Sequence, residues 1–567
     1  MGDRTLDGLR QRASRVGLEA RALATVARAG MLQPAAPWKL ARISRALRHF
    51  GPVGGGVTSA AVQHGDRPGL IDDRGTLTFA EMEARSNALA AALADRGVEP
   101  GAGVGILCRN HRGMLDTLFA CAKGGYRALL LNTDFAAPQA RDVCDREGVD
   151  LLVHDQEFTD VLAEVPVASG RFVAWEDAVG EGRTGTDPAG DGTVEALIAA
   201  GDPGSRPAPP KPGSLVLLTS GTTGTPKGAA RPQPRSLVLP AAFLSKIPYR
   251  SGERVYVAPP IFHAWGLANA LLAVGLGSTV VTARRFDAEA VLDAVESHRC
   301  EGLVVVPVLL SRLLAEAKLA LERRDLSALR IIAVSGAQLD GALATRAMDA
   351  FGDIVYNLYG STEVAYATIA TPADLRAAPG CAGRPPLGTT VRLYDDHDRP
   401  VPDGEVGRIF VSNGQSFEGY TGGGTKAVID GLMSTGDVGH FDDDGRLFVN
   451  GRDDEMIVSG GENVFPGEVE ELLAAHPAVA EAAVVGVPDE DYGQRLVAFV
   501  ALRPDETLTE DGVKDHVRAN LARYKVPRQV SFLDELPRNP AGKIVKHLLV
   551  EPGDGEADGA PGAPARA

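Results

Sequence analysis

Long apolar runs are missing from this chain. No stretch of about 18 uninterrupted apolar residues occurs, so no membrane-crossing helix is expected. Arg15, Arg21 and Arg28 break up the N-terminal segment, so a secretory signal is not expected there. The C-terminal Ala-Arg-Ala is no peroxisomal address. Cysteine is scarce: five residues (108, 121, 144, 300 and 381), never closer than 13 apart, in neither a metal-binding nor a thioredoxin-like spacing. Reduced thiols in the cytoplasm are expected from that pattern. A basic surplus is also lacking. The formal charge of −16 argues against a nucleic-acid partner, which would call for a basic face. No Gly-x-Ser-x-Gly elbow is found, since Ser220 has Leu218 where the first glycine belongs, and this excludes the common hydrolase design. Internal repeats are absent.

A chain of 567 residues is too long for a single core and implies two or more domains. Its 44% hydrophobic and 23% charged residues are ordinary for a globular protein. Charge is unevenly spread. Residues 1–50 hold ten cations and three acids, a local charge of +7, which leaves −23 for the remainder. Leu6, Leu9, Val16, Leu23 and Val26, then Leu40, Ile43 and Leu47, recur at helical spacings. Such a basic amphipathic extension either docks on the main body with its arginines solvated or lies on an anionic membrane surface. The glycine-rich run Gly51–Gly56 is expected to separate this extension from the main body.

The apolar run Leu215–Leu218 reads as a buried strand, and Thr219-Ser-Gly-Thr-Thr-Gly-Thr-Pro-Lys-Gly228 comes directly after it. Gly221, Gly224 and Gly228 let backbone N–H groups turn toward a polyanion. The hydroxyls of Thr219, Ser220, Thr222 and Thr223 add donors, and Lys227 supplies a cation for a phosphate oxygen. It is not a Walker-type P-loop, because Pro226 precedes the lysine and Gly228 comes after it. Further compact motifs come in order: Tyr356-Asn-Leu-Tyr-Gly-Ser-Thr-Glu-Val364, Ser434-Thr-Gly-Asp437, Gly451-Arg-Asp-Asp-Glu-Met-Ile457, Ser459-Gly-Gly-Glu-Asn-Val464 and Asn539-Pro-Ala-Gly-Lys543.

Together these motifs resemble the signatures of the adenylate-forming superfamily, which holds acyl-CoA synthetases, luciferases and peptide-synthetase adenylation domains. The resemblance covers about residues 58 to 550. It implies a large N-terminal multi-sheet α/β domain with a small mobile C-terminal α+β domain. Within it, Lys227, Thr362, Glu363 and Lys543 are the implied catalytic groups. Glu363 also suits Mg2+, a hard cation that takes hard oxygen ligands. ATP is held by Thr219 to Gly224, by Gly336, Ala337 and Gln338 facing adenine, and by Asn357, Tyr359 and Gly360. Asp437 and Arg452 take the ribose. Asp454 is the hinge about which the small domain swings, so that Ser459, Gly460 and Gly461 line the coenzyme A channel.

The loop Pro259-Pro-Ile-Phe-His-Ala-Trp-Gly266 matches the family's acyl pocket. No aspartate stands where amino-acid-activating members place one, which points to an uncharged acyl chain and a medium- or long-chain fatty acid. Trp265 either gates an apolar tunnel or packs, and His263 is either wall or anchor. The chain departs from the family pattern after Thr421, ahead of Ser434 and after Gly228. The implied reaction joins a carboxylic acid to ATP, releases pyrophosphate, and passes the acyl group to coenzyme A. The alternatives are an acyl-AMP ligase that loads a carrier protein and an inactive binding relative. The expected domains are 1–50 (extension), 51–452 (large domain), 453–551 (small domain) and 552–567 (a disordered tail rich in Gly, Pro, Ala and acids). Monomer and homodimer both stay open, and the expected location is cytoplasmic, with peripheral contact at the inner membrane surface through residues 1–50 as the further option.

Overall fold

The computed structural model describes residues 2–177, 192–219, 227–231, 236–320, 324–361, 363–414, 425–453, 457–459, 462–464, 466–489, 493–521, 525–539 and 542–550. At 2–14, 219, 227–231, 317–320, 458–459, 462–463, 493 and 547 the backbone alone is described. The chain divides into two compact units, Met1–Thr435 with His440–Phe448, and Gly436–Gly439 with Val449–Ala567. The tail expected at 552–567 lies outside the described residues.

The first unit contains two mostly parallel sheets with helices between their strands, and most of a further five-stranded sheet ordered Thr390–Tyr394, Gly407–Ser412, Leu432–Phe441, Val428–Ile429, with Leu447–Arg452 paired to Leu432–Phe441. An eight-stranded sheet runs in the order Thr368–Ala370, Val355–Tyr359, Ile331–Val334, Gly302–Val305, Arg254–Val257, Thr279–Val281, Pro68–Asp72, Gly75–Thr78. Only its two outermost pairs are antiparallel. A six-stranded sheet runs Arg171–Trp175, Leu151–Asp155, Gly103–Leu107, Arg127–Leu130, Ser214–Thr219, Lys227–Arg231. The strands Gly302–Val305, Ile331–Val334, Gly103–Leu107 and Leu151–Asp155 are buried at every position, as strands covered on both faces must be. That is why they read as β-branched and apolar runs, broken only in Leu151–Asp155, where His154 and Asp155 are buried at the strand's end. Helix starts are written locally: Thr78 and Glu81 form a capping box on the helix Phe79–Asp95, and Asp340 caps Gly341–Phe351.

The run Gly51–Gly56 does not separate the extension from the body. It lies inside the helix Pro37–His64, which kinks at Gly51 (φ 66°, ψ −173°) and resumes at Pro52. A Cβ on Gly55 would stand 2.6 Å from Leu47 Cα, and one on Gly54 would stand 2.8 Å from Phe50 Cβ and 3.1 Å from Ala122 Cβ. The glycines therefore allow two helical arms and a neighbouring helix to approach closely, and the proline sits where a kink already removes a backbone hydrogen bond. Sequence alone cannot tell this use of glycine from a flexible joint. The helix Gly2–Arg28 packs Leu18, Ala22 and Val26 against Val238 and Ala241, and Ser236 Oγ donates to Glu19 at 2.8 Å. The inner faces of the extension are thus docked on the first unit.

One buried cation ties these elements together. Lys123 Nζ, fully buried, donates to Glu83 at 2.6 Å, and to Ser86 Oγ and Asn87 Oδ1 at 2.8 Å each. Thr58 Oγ1, from the kinked helix, donates to the same Glu83 at 3.0 Å. All five cysteines are buried, and all fall in the first unit.

The second unit holds a sheet ordered Glu462–Val464, Ile457–Ser459, Gly493–Leu502, Val479–Asp489, with Gln529–Leu533 paired to Gly493–Leu502. Helices Pro466–Ala474 and Glu510–Asn520 cover a core of Ile457, Val464, Val469, Leu473, Val484, Leu496, Val513 and Val517. Thr509 caps the second helix, its hydroxyl accepting from Gly512 N–H at 3.1 Å.

Candidate functional site

Two segments expected to enclose adenine leave neighbouring strands of the eight-stranded sheet at the same end. Val334 pairs in parallel register with Asn357, and Ser335 Oγ donates to Leu358 C=O at 2.8 Å. The chain then turns at Gly336, whose φ of 95° suits glycine and where a Cβ would come within 3.1 Å of Val306. Ala337 is half-buried and Gln338 exposed beyond it. On the next strand Asn357 is buried, and its Oδ1 has no hydrogen-bond partner among the described residues. Tyr359 and Gly360 are half-buried at the strand's end. A Cβ on Gly360 would strike Ala365 C=O at 2.4 Å, so the turn that comes next requires this glycine. That placement, at the carboxyl ends of parallel strands, is where open α/β sheets gather ligands.

The turn carrying Glu363 is held from both sides. Ala365 N–H donates to Ser361 C=O at 2.8 Å, and Ala367 N–H to Tyr359 C=O at 2.8 Å. Asn413 is buried and its amide donates to the carbonyls of Val364 and Tyr366, the latter at 2.6 Å. Glu363 is half-buried in this turn. No second carboxylate, His or Cys groups with it in a metal-ligand cluster among the described residues. A single carboxylate fits Mg2+, which keeps several waters and takes its other oxygens from phosphates. Thr362 lies outside the described residues.

The phosphate loop is seen only at its two ends. Thr219 closes the strand Ser214–Thr219, and Lys227 opens the strand Lys227–Arg231, in antiparallel register with Thr219 opposite Lys227. Ser220, Gly221, Thr222, Thr223 and Gly224 lie outside the described residues. The sequence signals only the first of these two strands, because Lys227-Gly-Ala-Ala-Arg231 carries no β-branched residue.

The expected ribose pair belongs to the second unit. Asp437 is buried, and Arg452 brings a guanidinium nitrogen to 3.7 Å from its carboxylate, on paired strands. Lys543 is exposed on a tight loop of the same unit. Asn539 Oδ1 accepts from Lys543 N–H at 3.0 Å, and Asn539 N–H donates to Lys543 C=O at 2.9 Å. Arg538 fastens the loop further, donating to Gly542 C=O at 2.5 Å while pairing with Glu481. Asp454, Gly460 and Gly461 lie outside the described residues, and Ser459 is placed as backbone at a strand end.

Around the expected acyl loop, Trp265 is packed and pinned. It is buried, its Nε1–H donates to Val305 C=O at 3.0 Å, and its ring stacks on Phe243 with centroids 6.3 Å apart. A swinging gate would have to give up that hydrogen bond and that burial, so the packing role is the one these contacts support for Trp265. His263 opens the helix Ala264–Gly275 and lies against the Phe262 ring at 4.4 Å. Gly266 is required here, because a Cβ would meet Pro260 C=O at 2.4 Å. Asn110, buried on a different element, donates to Pro259 C=O at 2.9 Å and accepts from Ile261 N–H at 2.7 Å. Asn110, Asn413 and Ser335 are positioning residues that no motif discloses. Their partners lie 149, 49 and 23 residues away, which leaves no spacing to read.

A further cluster, Cys108, His111 and Asp155, brings three potential metal ligands within 4.8 Å of one another. Both ring nitrogens are committed, however. His111 Nδ1 accepts from Gly113 N–H at 3.1 Å, and Nε2 meets Asp155 at 2.6 Å. Burial, and then the Asp155 charge, push the Cys108 thiol well up, while Asp155 is held low because hydrogen bonds and charge from His111, Arg109 and Arg284 outweigh its burial. The cluster locks the six-stranded sheet to the helix Arg112–Gly124 and has no lone pair to offer on its imidazole.

Comparison with known proteins identifies the family. Residues 57–421 match the model of the AMP-binding enzyme family, and 468–543 match its AMP-binding enzyme C-terminal domain. The chain is 35% identical to the indoleacetate–CoA ligase of Aromatoleum aromaticum, over 83% of this chain and 92% of that one. It is 30% identical to a fatty acid–[acyl-carrier-protein] ligase of Streptomyces coeruleorubidus, over 87% and 95%. Among solved structures, o-succinylbenzoate CoA synthetase of Bacillus subtilis with its acyl-adenylate intermediate superposes with a TM-score of 0.74 at 27% identity, over 88% of this chain and 99% of that one. The chain belongs to the AMP-binding enzyme family, as an acid–thiol ligase with the adenylate-forming fold.

Proposed function

We propose that this enzyme uses ATP and Mg2+ to convert an apolar monocarboxylic acid to its acyl-adenylate, releasing pyrophosphate, and then transfers the acyl group to coenzyme A. A carboxylate is a poor electrophile, and adenylation gives it a leaving group. The observation that carries the reading is that Gly336–Gln338 and Tyr359–Ser361 leave the carboxyl ends of adjacent parallel strands. Asp437 and Arg452, 3.7 Å apart, supply the acceptor and donor that ribose hydroxyls need. Lys227 and Lys543 are the cations proposed to face the phosphates, worth most where charge builds on the α-phosphate.

For the acid, a medium- or long-chain fatty acid is the first reading, resting on the loop Pro259–Gly266 without an aspartate. An aryl acid is the second. The pinned Trp265 favours it, since a fixed indole forms a flat wall and cannot open a tunnel. The indoleacetate–CoA ligase likeness points the same way. Mass spectrometry of reactions with ATP, Mg2+ and a panel of fatty, aryl and amino acids tests the whole scheme. AMP, pyrophosphate and an acyl-CoA are expected. ADP with phosphate would overturn it, and transfer to a carrier protein but not to coenzyme A would make the chain an acyl-AMP ligase. The ratio of kcat/KM for fatty and aryl acids chooses between the two readings.

A further inference from the structure

Between Glu19 and Asp66 the chain contains no carboxylate, yet it carries Arg21, Arg28, Lys39, Arg42, Arg45 and Arg48. The same stretch concentrates exposed apolar side chains. Of the eleven large ones standing exposed among the described residues, Leu23, Leu32, Trp38, Leu40 and Leu47 lie in it and Val16 lies three residues ahead of Glu19, with Trp38 at 73% and Val16 at 70%. These are not surplus core residues. The helix Gly2–Arg28 already buries Ala22 and Val26 against the body, and the arm starting at Pro37 already buries Ala46 and Phe50. Val16 and Leu23 are seven residues apart, two helical turns on a different face from Ala22 and Val26. Arg21 and Arg28 repeat at the same interval on the opposite flank, so the exposed arc of the helix is edged by apolar groups on one side and cations on the other. Among the described residues no helix is long and apolar enough to cross a membrane.

We propose that this outer face of residues 15–48 docks on an anionic lipid surface. Three features select that partner. A bilayer takes apolar side chains below its headgroups and cations at them, in one plane. An exposed tryptophan flanked by Lys39 and Arg42 suits the headgroup level. The rest of the chain carries −23, from −16 minus the +7 of residues 1–50, and is repelled by anionic headgroups, so this face is the one suited to approach. A free polyanion would pair with the arginines but leave the apolar groups in water, and a second copy would set cation against cation.

Flotation of the full chain with vesicles tests the proposal, using 30:70 phosphatidylglycerol:phosphatidylcholine against pure phosphatidylcholine. Binding to the anionic vesicles is expected, and it should fall sharply near 1 M salt, where the screening length is about 3 Å. Each surface cation contributes about fivefold, so Arg42→Gln/Arg45→Gln/Arg48→Gln should lose on the order of a hundredfold. Trp38 gives an independent readout. The other two tryptophans, Trp175 and Trp265, are 8% exposed each, so a blue shift in emission on vesicle binding reports Trp38. Leu23→Gln/Leu40→Gln should weaken binding without lowering adenylation, since both side chains stand in solvent. Equal binding to neutral and anionic vesicles, or no emission shift, would overturn the proposal. Dimerisation in sedimentation that the arginine variants abolish would assign the face to a second copy.

Discussion

Replacing Lys543 by alanine separates a chemical role from a structural one, because the loop around it is built by other groups. Asn539 closes the turn through Lys543's own backbone, with N–H and C=O bonds at 3.0 and 2.9 Å, and alanine keeps both. Arg538, bonded to Gly542 C=O and paired with Glu481, keeps its grip as well. An exposed side chain replaced on a retained loop should change stability by no more than about 0.5 kcal/mol. Rate is another matter. One preorganised charge contact to a developing oxyanion is worth about 10²–10³ in kcat, or about 2.7–4 kcal/mol. The variant should therefore lose that factor in acid-dependent ATP–pyrophosphate exchange while its urea midpoint stays put. Thioester formation from supplied acyl-adenylate, which needs no charge at the α-phosphate, should be largely retained. Arg538→Ala is the companion test: the lysine remains but its loop is loosened, so exchange should fall to a value between wild type and Lys543→Ala. Equal loss in both half-reactions, or a falling urea midpoint for Lys543→Ala, would refute the assignment of a charge-stabilising role.

Asn110→Ala should raise KM for the acid and leave KM for ATP unchanged, because Asn110 holds the Pro259 carbonyl and Ile261 N–H of the acyl loop; initial rates with each substrate varied decide it. Lys123→Met should destabilise the first unit by about 3–5 kcal/mol in urea, since it leaves the Glu83 carboxylate buried and uncompensated, and Lys123→Met/Glu83→Leu should recover most of that loss. Asp72 is pushed up by burial, but hydrogen bonds and charge from Arg112 outweigh it and hold its pKa below 3.8. Below pH 3.8 the unfolded state therefore takes up the proton first, so the stability from this pair is present above about pH 4 and drains as pH falls; Asp72→Asn should flatten the acid limb of the stability curve.

Features fixed by consecutive residues were legible in the sequence. Val304, Ile331 and Leu215 open apolar runs that became strands, and Thr509 with two acids directly after it became a helix cap, because local pattern dictates burial period and cap chemistry. The motif segments at Gly336 and Tyr359 were legible for the same reason, being short and continuous. What escaped depends on tertiary partners. Gly54 and Gly55 look like a joint until Leu47 and Ala122 are seen within touching distance. Trp265 is ambiguous until Val305 C=O is found at its indole nitrogen. Asn110 and Asn413 are unremarkable letters in the chain, and only the fold brings them to the carbonyls they hold.

The cysteine distribution has a practical use. All five thiols are buried in the first unit, and the second unit contains none. A thiol reagent added to the native protein can react only as fast as the first unit opens, so labelling becomes a clock for that opening, with the second unit silent. A single cysteine introduced at an exposed position of the second unit, such as Asp511 or Asp515, would then be the one fast-reacting thiol without removal of any native one. A dye attached there reports on the second unit alone against a dark background.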